Sequence, residues 1–267
     1  LPRLTLENVW ARIPVDGFDL DITGELTVGG ARGRLELGGS ENLLISHSSP
    51  NLRNSRLQIF NAAAGCSLAC GGLALTNGGG LVIYSGVTTD TAIPSSVVEV
   101  DGGVILDKGW VFPCSHPTNG GSVLFRMADL TVFPDSGFNA DGTGFSAGRV
   151  NGDPGFGPGR GVTAAAGYGG PGGRENNACG DPVNPLAPGS GGRCGAANPG
   201  GAGGLIRIEA SGHVILNGTL SASGTHCSGY GSGPSSGGGV NIRCATVAGT
   251  NGVIRANGGS GGENGGG

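Results

Sequence analysis

The sequence predicts an all-β protein of the parallel β-helix or solenoid class, with long glycine-rich loop excursions. Two observations lead to this prediction. Three segments of the chain repeat one pattern of short alternating strands, and 60 of the 267 residues are glycine, roughly three times the usual share. Because glycine in a helix interior costs about 1 kcal/mol relative to alanine, this composition excludes a helical bundle. The alternative class is a β-sandwich or another mixed β fold, in which the likeness between segments is accidental.

The repeat covers residues 122–142, 205–224 and 240–259. Each copy has an alternating strand, a short polar corner, a second strand, and a third strand that ends in Ala-Asp-Gly, Ala-Ser-Gly or Ala-Asn-Gly. Three strands in about 20 residues make one coil of a solenoid. Such a coil buries its inward side chains only when another coil stacks on it, at a strand spacing of about 4.8 Å.

The N-terminal part of the chain carries the same alternation less regularly. Apolar and polar residues alternate at four places there, residues 18–28, 55–60, 81–84 and 97–106. We therefore divide the chain into an N-terminal β-rich part that forms the early solenoid coils, residues 1–120, and a glycine-rich repeat solenoid, residues 121–267. A loop insertion, residues 143–203, interrupts the second part.

Two glycine-rich excursions separate the strands of the repeat, residues 143–203 and residues 225–239. Connections as long as the first are uncommon unless they are functional or flexible, and both lack the apolar side chains for a core of their own. Glycine and proline nevertheless permit extended, polyproline-like strands that pack backbone to backbone.

Seven cysteines indicate an oxidising, extracellular compartment, because none of them is arranged as a CxxC pair of the zinc or redox kind. Proximity along the chain predicts two disulfides, Cys66 with Cys70 and Cys179 with Cys194. Closing such loops stabilises a fold by roughly 2–4 kcal/mol. The remaining thiols are predicted to be unpaired or to bond between subunits, and they are Cys114, Cys227 and Cys244.

Charge and hydropathy argue against two kinds of partner. The net charge is −4 and the arginines are scattered, whereas a nucleic-acid binder carries a basic patch. No apolar run reaches the length of a membrane-spanning helix, so no membrane span is expected. The chain opens on a leucine and stops within a glycine run, which we interpret as the mature or ordered part of a longer secreted precursor.

No catalytic, cofactor or metal site is predicted. Parallel β-helices that cleave acidic polysaccharides cluster their carboxylates, and the best-placed pair here, Asp19 and Asp21, fits a solvated strand face. The four histidines lack metal-ligand spacing. Asp135, Asp141 and Asp153 lie among glycines, but the nine-residue calcium-binding repeat is absent.

Two features leave alternatives open. Asn217-Gly218-Thr219 is an N-glycosylation sequon in a eukaryotic host, and the same residues suit a tight turn. The tryptophans and tyrosines either form a sugar-stacking platform or pack in the core and at interfaces. They are Trp10, Tyr84, Trp110, Tyr168 and Tyr230.

The C-terminal strands also resemble a known repeat. The stretch GGAGGLIRIEASGHVILNGTLSASG, followed by GYGSGPSSGGGVNIRCATVAGTNGVIRANGGSGGENGGG, is similar to the glycine-rich repeat of large bacterial and protist surface proteins. The resemblance covers about residues 120–267. It implies a parallel β-helix and a structural role at the cell surface, and it brings no catalytic motif.

The predicted function is that of a secreted structural protein, a subunit of a self-assembling extracellular filament, sheath or surface appendage. A solenoid has two open ends whose strand edges pair readily with another subunit, and 13% charged residues offer little opposition to association. Its main partner is then a second copy of itself, without a cofactor or enzymatic activity. The alternative is a monomeric adhesin or carbohydrate-binding stalk that contacts surface glycans or other envelope proteins. A polysaccharide-degrading β-helix enzyme is the least favoured function.

Overall fold

The computed structural model describes residues 67–148, 153–163, 165–173, 178–194, 200–227 and 233–261, and the backbone of seven strands between Arg3 and Ile59. This part of the chain is all-β, with 22 strands and no helix. It therefore holds no helix with the length and apolarity needed to cross a membrane. The strands are β1 (Arg3–Glu7), β2 (Trp10–Ile13), β3 (Leu20–Ile22), β4 (Glu25–Gly29), β5 (Arg34–Leu37), β6 (Asn42–Ser46), β7 (Arg56–Ile59), β8 (Ser67–Cys70), β9 (Gly72–Thr76), β10 (Gly80–Tyr84), β11 (Ser96–Val100), β12 (Gly103–Asp107), β13 (Trp110–Cys114), β14 (Val123–Met127), β15 (Asp129–Val132), β16 (Gly137–Asn139), β17 (Leu205–Ala210), β18 (His213–Leu216), β19 (Thr219–Ser221), β20 (Gly239–Arg243), β21 (Thr246–Ala248) and β22 (Val253–Arg255).

These strands pair in parallel and form three sheets, each of which takes every third strand of the chain. The first sheet contains β1, β4, β7, β10, β13, β16, β19 and β22. The second contains β2, β5, β8, β11, β14, β17 and β20, and the third contains β3, β6, β9, β12, β15, β18 and β21. This topology is consistent with a parallel β-helix or solenoid. It differs from the β-sandwich alternative, whose strands pair antiparallel.

Each segment of the predicted repeat supplies one strand to each sheet. Residues 122–142 contain β14 to β16, residues 205–224 contain β17 to β19, and the third segment contains most of β20 together with β21 and β22. The sheets also continue across residue 120, because β12 pairs with β9 on one side and with β15 on the other. The less regular N-terminal alternation and the glycine-rich repeat therefore build the same three sheets.

The core lies between the sheets and consists of columns of inward side chains. Leu75, Leu106 and Val132 are register partners in successive strands of the third sheet, and all three are fully buried. Across the core, the rings of Phe125 in the second sheet and Phe138 in the first meet edge to face, with centroids 5.1 Å apart. Because side chains alternate along a strand, the residues directly before and after each of these inward residues point outward.

The corner between the third and first sheets is tight, and residues with a left-handed backbone close it. Asn77, Lys108 and Asp135 have φ values of 49°, 56° and 61° at this corner of three successive coils. Asparagine and aspartate tolerate this region better than other residues, whereas lysine seldom adopts it. The Lys108 carbonyl accepts a hydrogen bond of 2.6 Å from the Gly78 N–H, which ties its corner to the preceding coil.

From β8 onward, the long connections leave the coils at the corner between the first and second sheets. They join β10 to β11, β13 to β14, β16 to β17 and β19 to β20. Because these excursions start from one corner, they contact one another in the order of the coils. The Ser146 N–H donates to the Pro117 carbonyl at 2.8 Å, and the Ala166 N–H donates to the Pro234 carbonyl at 3.1 Å. The excursions thus lie together along one edge of the sheets.

Candidate functional site

The glycine-rich excursions form a layer that backbone hydrogen bonds hold together. The Gly189 N–H donates to the Gly203 carbonyl at 2.9 Å, and the Gly191 N–H donates to the Phe156 carbonyl at 2.8 Å. A Cβ atom at Gly189 would lie 1.8 Å from the Gly237 carbonyl oxygen. Glycine is required at this position because any side chain would push the two backbones apart.

Three buried serines supply hydrogen bonds inside this layer, and they are Ser190, Ser235 and Ser236. The Ser190 N–H donates to the Ser236 hydroxyl at 2.8 Å, and the Gly192 N–H donates to the Ser235 hydroxyl at 3.1 Å. The Ser190 hydroxyl in turn accepts from the Gly159 N–H at 3.0 Å. Small uncharged hydroxyls therefore satisfy backbone groups that are shielded from water.

A disulfide links two of the excursions, and it corrects the predicted pairing of Cys179 with Cys194. Cys194 bonds to Cys227, 33 residues further along the chain, with their Cα atoms 5.9 Å apart. The prediction relied on proximity in sequence, whereas stacking of the excursions brings Cys194 against the next excursion. Cys227, which was expected to be unpaired or to bond between subunits, is therefore part of an intrachain disulfide. The Cys179 thiol remains free, donates to the Gly167 carbonyl at 3.1 Å and has its pKa raised by burial.

The other cysteines lie in or next to strands. Cys70 is a free thiol in β8, and burial, aided by the charge of Asp101, raises its pKa to about 12. Its predicted partner Cys66 lies outside the described residues. Cys114 and Cys244 are both half-buried, Cys114 at the end of β13 and Cys244 directly after β20. A role for either thiol in bonding between subunits stays a prediction.

A cleft of about 590 Å³ lies on the excursion layer, where the loop between β13 and β14 meets the excursion that follows β16. The Phe156 side chain, which lines this cleft, is 42% exposed. Two backbone hydrogen bonds hold the lining, from the Ser146 N–H to the Pro117 carbonyl at 2.8 Å and from the Phe156 N–H to the Ser146 carbonyl at 2.9 Å. The lining residues are Pro117, Thr118, Ser146, Gly148, Asp153, Pro154, Gly155, Phe156 and Arg160.

The cleft combines the exposed side chain of Phe156 with polar groups. The Asp153 carboxylate and the Ser146 hydroxyl make no hydrogen bond to any other described residue. The Thr118 hydroxyl lies 3.5 Å from Nδ1 of His116, and burial lowers the pKa of that imidazole. The exposed Arg160 adds a cationic donor group. Hydrogen-bond donors and acceptors therefore line the same cleft as an exposed aromatic ring.

A second candidate surface lies at the end of the sheets formed by β20, β21 and β22, each the last strand of its sheet. Val247 is the register partner of Val214, and Ile254 is the register partner of Leu220; both partners are fully buried. Val247 itself is 61% exposed and Ile254 is 54% exposed. Among the described residues, two inward positions of the last coil thus remain in contact with solvent.

The outer face of the second sheet carries charges of alternating sign. Register partners in four successive strands of this sheet are Glu99, Arg126, Glu209 and Arg243. The Nε atom of Arg126 lies 3.1 Å from Oε2 of Glu209. On the same face Arg207 is buried and donates a 2.7 Å hydrogen bond to the Ala92 carbonyl, so the connection between β10 and β11 covers part of it. Within this ladder Arg126 pairs with Glu209, and an open depression of about 510 Å³ lies beside Arg126, Glu209 and Arg243.

The three histidines in the described part of the chain lie on different elements. His213 lies in β18, and its Nδ1 is 2.7 Å from the Thr246 hydroxyl. His226 lies after β19, and its Nδ1 is 3.1 Å from the Ser260 hydroxyl. Within the described ranges, no three histidine, cysteine, aspartate or glutamate side chains are grouped so that they could hold a metal ion.

The sequon and the aspartates occupy corners and hydrogen-bond networks. Asn217 lies in the corner between β18 and β19, and its side-chain carbonyl accepts a 2.9 Å hydrogen bond from the Thr250 N–H. Asp135 closes one of the left-handed corners between the third and first sheets. Asp141 accepts a 2.5 Å hydrogen bond from the Ser221 hydroxyl. Asn217 thereby ties its corner to the corner between β21 and β22 in the next coil, and its glycosylation stays a prediction.

The candidate aromatic residues do not form one platform in the described part of the chain. Trp110 and Tyr84 lie on strands of the first sheet, whereas Tyr168 lies in the excursion layer and donates a 2.6 Å hydrogen bond to the Ala187 carbonyl. Burial raises the pKa of Tyr168 to about 12. The exposed ring that lines the cleft is instead that of Phe156, which sequence reasoning missed. The side chains of six candidate residues lie outside the described part, namely those of Trp10, Asp19, Asp21, His47, Cys66 and Tyr230.

No protein-family model, curated protein sequence or solved structure matches this chain. Function must therefore be inferred from the arrangement of the residues themselves.

Proposed function

We propose that this chain is a parallel β-helix that serves as a secreted structural subunit and assembles end to end into an extracellular filament, sheath or surface appendage. The observation that supports this proposal most directly is the end of the sheets formed by β20, β21 and β22. There Val247 and Ile254 occupy inward positions of the last coil and remain exposed.

Two kinds of group at this end are satisfied when another strand layer stacks on it. The outer edges of the three strands present backbone N–H and C=O groups, which pair readily with a further parallel strand. The apolar side chains gain about 25 cal/mol for each square ångström of surface that leaves water. A second copy of the chain supplies further parallel strand edges, at the end formed by β1, β2 and β3.

The same geometry favours a filament over a closed oligomer. The two ends of the sheets differ, since one begins with β1, β2 and β3 and the other finishes with β20, β21 and β22. Contact between unlike ends propagates in one direction and yields a filament when it does not close into a ring. A net charge of only −4 offers little repulsion between copies. The role proposed for the chain is mechanical, without catalysis or a cofactor.

An extracellular location accords with two features. The Cys194–Cys227 disulfide is compatible with an oxidising compartment. The resemblance of residues 120–267 to the glycine-rich repeats of bacterial and protist surface proteins points the same way.

The test is sedimentation velocity and negative-stain electron microscopy of the non-reduced 267-residue chain over a wide range of concentrations. We expect regular filaments and a sedimentation coefficient that rises with concentration. The double variant Val247→Glu/Ile254→Glu places two carboxylates at the exposed end and should remain monomeric.

The matched control is Ile105→Glu, because Ile105 is an isoleucine of similar exposure, 46%, that lies in β12 of the third sheet rather than at the end. This variant should assemble like the wild type. A wild-type chain that stays monomeric at every concentration would overturn the proposal and leave the monomeric adhesin or stalk as the alternative. Assembly that survives the double variant but not the control would show that the contact involves a lateral face.

A further inference from the structure

We propose that the cleft lined by Phe156 and Asp153 is a binding site for a neutral oligosaccharide. This site lies on the excursion layer, away from the end strands, and the proposal does not depend on end-to-end assembly. Its volume, about 590 Å³, falls within the range of roughly 300–1,000 Å³ that is usual for small-molecule sites.

The residue that carries the aromatic ring of this cleft has a fixed backbone. Phe156 both donates to the Ser146 carbonyl, at 2.9 Å, and accepts from the Gly191 N–H, at 2.8 Å. The next residue, Gly157, has a φ of +99°, and a Cβ atom there would lie 2.8 Å from the buried ring of Phe145. The chain therefore turns directly after Phe156, and its ring stays exposed although its backbone is fixed on both sides. A segment whose backbone is already ordered loses little conformational entropy on binding.

The polar groups of the cleft match the hydroxyls of a sugar. A carboxylate accepts two hydrogen bonds at once, and neighbouring hydroxyls on a sugar ring donate such a pair. The Asp153 carboxylate is exposed and has no partner among the described residues, and neither has the Ser146 hydroxyl. Arg160 and Thr118 add donors to the same cleft. The C–H face of a sugar ring packs on an aromatic ring while its hydroxyls reach such groups at the edge.

Other ligand classes fit this cleft less well. A purely apolar ligand would cover the Asp153 carboxylate without offering it a donor, and a buried unpaired charge is costly. An acidic sugar would meet the Asp153 carboxylate, which repels its own, and the one cation of the lining, Arg160, already makes another interaction. A neutral sugar satisfies both the ring and the carboxylate.

The experiment measures binding of a panel of neutral hexaoses (cello-, malto-, laminari-, manno- and chitohexaose) with hexagalacturonate as the acidic comparison. Isothermal titration calorimetry and saturation-transfer NMR are run on dilute protein, so that assembly does not contribute. We expect at least one neutral hexaose to bind, and Phe156→Ala to weaken its binding by about tenfold or more. Asp153→Asn should weaken it severalfold, because an amide accepts fewer hydrogen bonds than a carboxylate.

The chain supplies a matched control for each variant. Phe133 is also 42% exposed but lies next to the corner between β15 and β16, outside the cleft. Asp135 lies near it with a left-handed backbone that asparagine tolerates. Phe133→Ala and Asp135→Asn should leave binding within about twofold of the wild type. The proposal is overturned when no neutral hexaose binds, when hexagalacturonate alone binds, or when Phe156→Ala retains the wild-type affinity.

Discussion

Cys70 illustrates how the surroundings of a single side chain determine its pKa. It occupies an inward position of β8, opposite Val100 in the neighbouring strand, and its side chain is almost completely buried. Loss of hydration disfavours the thiolate of Cys70, and the nearby negative charge of Asp101 disfavours it further. Together these two effects raise the pKa of Cys70 from 9.0 to about 12. Cys244, by contrast, lies half-buried beyond the last residue of β20.

We predict that these two thiols differ strongly in reactivity toward iodoacetamide under native conditions. The thiolate is the attacking species. Raising the pKa of Cys70 from 9.0 to about 12 lowers its thiolate fraction about a thousandfold at mildly alkaline pH. Cys244 should be modified first and Cys70 last, as measured by peptide mass spectrometry over time. In concentrated denaturant the two should react at similar rates. Equal rates in the native protein would mean that the β8 position opens readily to solvent.

At the scale of strands and excursions, two different packing rules operate in one chain. The sheets stack side chains in register, as in the columns through Leu106 and Val132 and in the charge ladder on the second sheet. Such cross-strand pairs each contribute roughly 0.2–1 kcal/mol. The excursion layer instead brings backbone against backbone and depends on the absence of side chains. Its glycines are therefore as restrictive as the leucines of the core.

We predict that Gly189→Ala is strongly destabilising, whereas Gly170→Ala is nearly neutral. An added Cβ at Gly189 would lie 1.8 Å from the Gly237 carbonyl oxygen, whereas nothing lies within 4 Å of one at Gly170. Overpacking of this kind costs roughly 1–3 kcal/mol, whereas an open surface site changes stability by about 0.5 kcal/mol at most. Denaturant unfolding of both variants measures the difference. Similar losses in the two variants would mean that close backbone packing between the excursions does not stabilise the fold.

The sequence predicts the strands of the three sheets better than it predicts the packing of the excursion layer. The repeat ending in Ala-x-Gly located the strands β14 to β22, because inward and outward residues alternate locally along each strand. The partner of Cys194 was beyond reach, since it depends on how one excursion stacks on the next rather than on distance along the chain. Phe156 was missed for the same reason, as its exposure follows from hydrogen bonds to residues 10 and 35 positions away. Its flanking glycines and proline in GFGPGRG are the one local signal of a turn that leaves the ring outside.

At the scale of the whole molecule, the two proposals reinforce each other. The end strands and the cleft lie on different parts of the surface, so that stacking of copies leaves each cleft open. A filament would then present its clefts at a regular spacing, and several weak sugar contacts made together raise the overall affinity well above that of one cleft. If both proposals hold, a structural filament and a sugar-binding surface are properties of one assembly.

We predict that the melting temperature of the wild-type chain rises with protein concentration, because end-to-end contact binds only the folded state. Above the dissociation constant, each tenfold increase in concentration adds about 1.4 kcal/mol of stability, which corresponds to roughly 3–6 °C for a chain of this size. Differential scanning calorimetry over two decades of concentration, with reductant absent, measures the slope. The double variant Val247→Glu/Ile254→Glu should melt at one temperature throughout, and Ile105→Glu should retain the wild-type slope. A constant melting temperature for the wild type would show that the exposed end makes no stabilising contact between copies, whatever filaments appear on a grid.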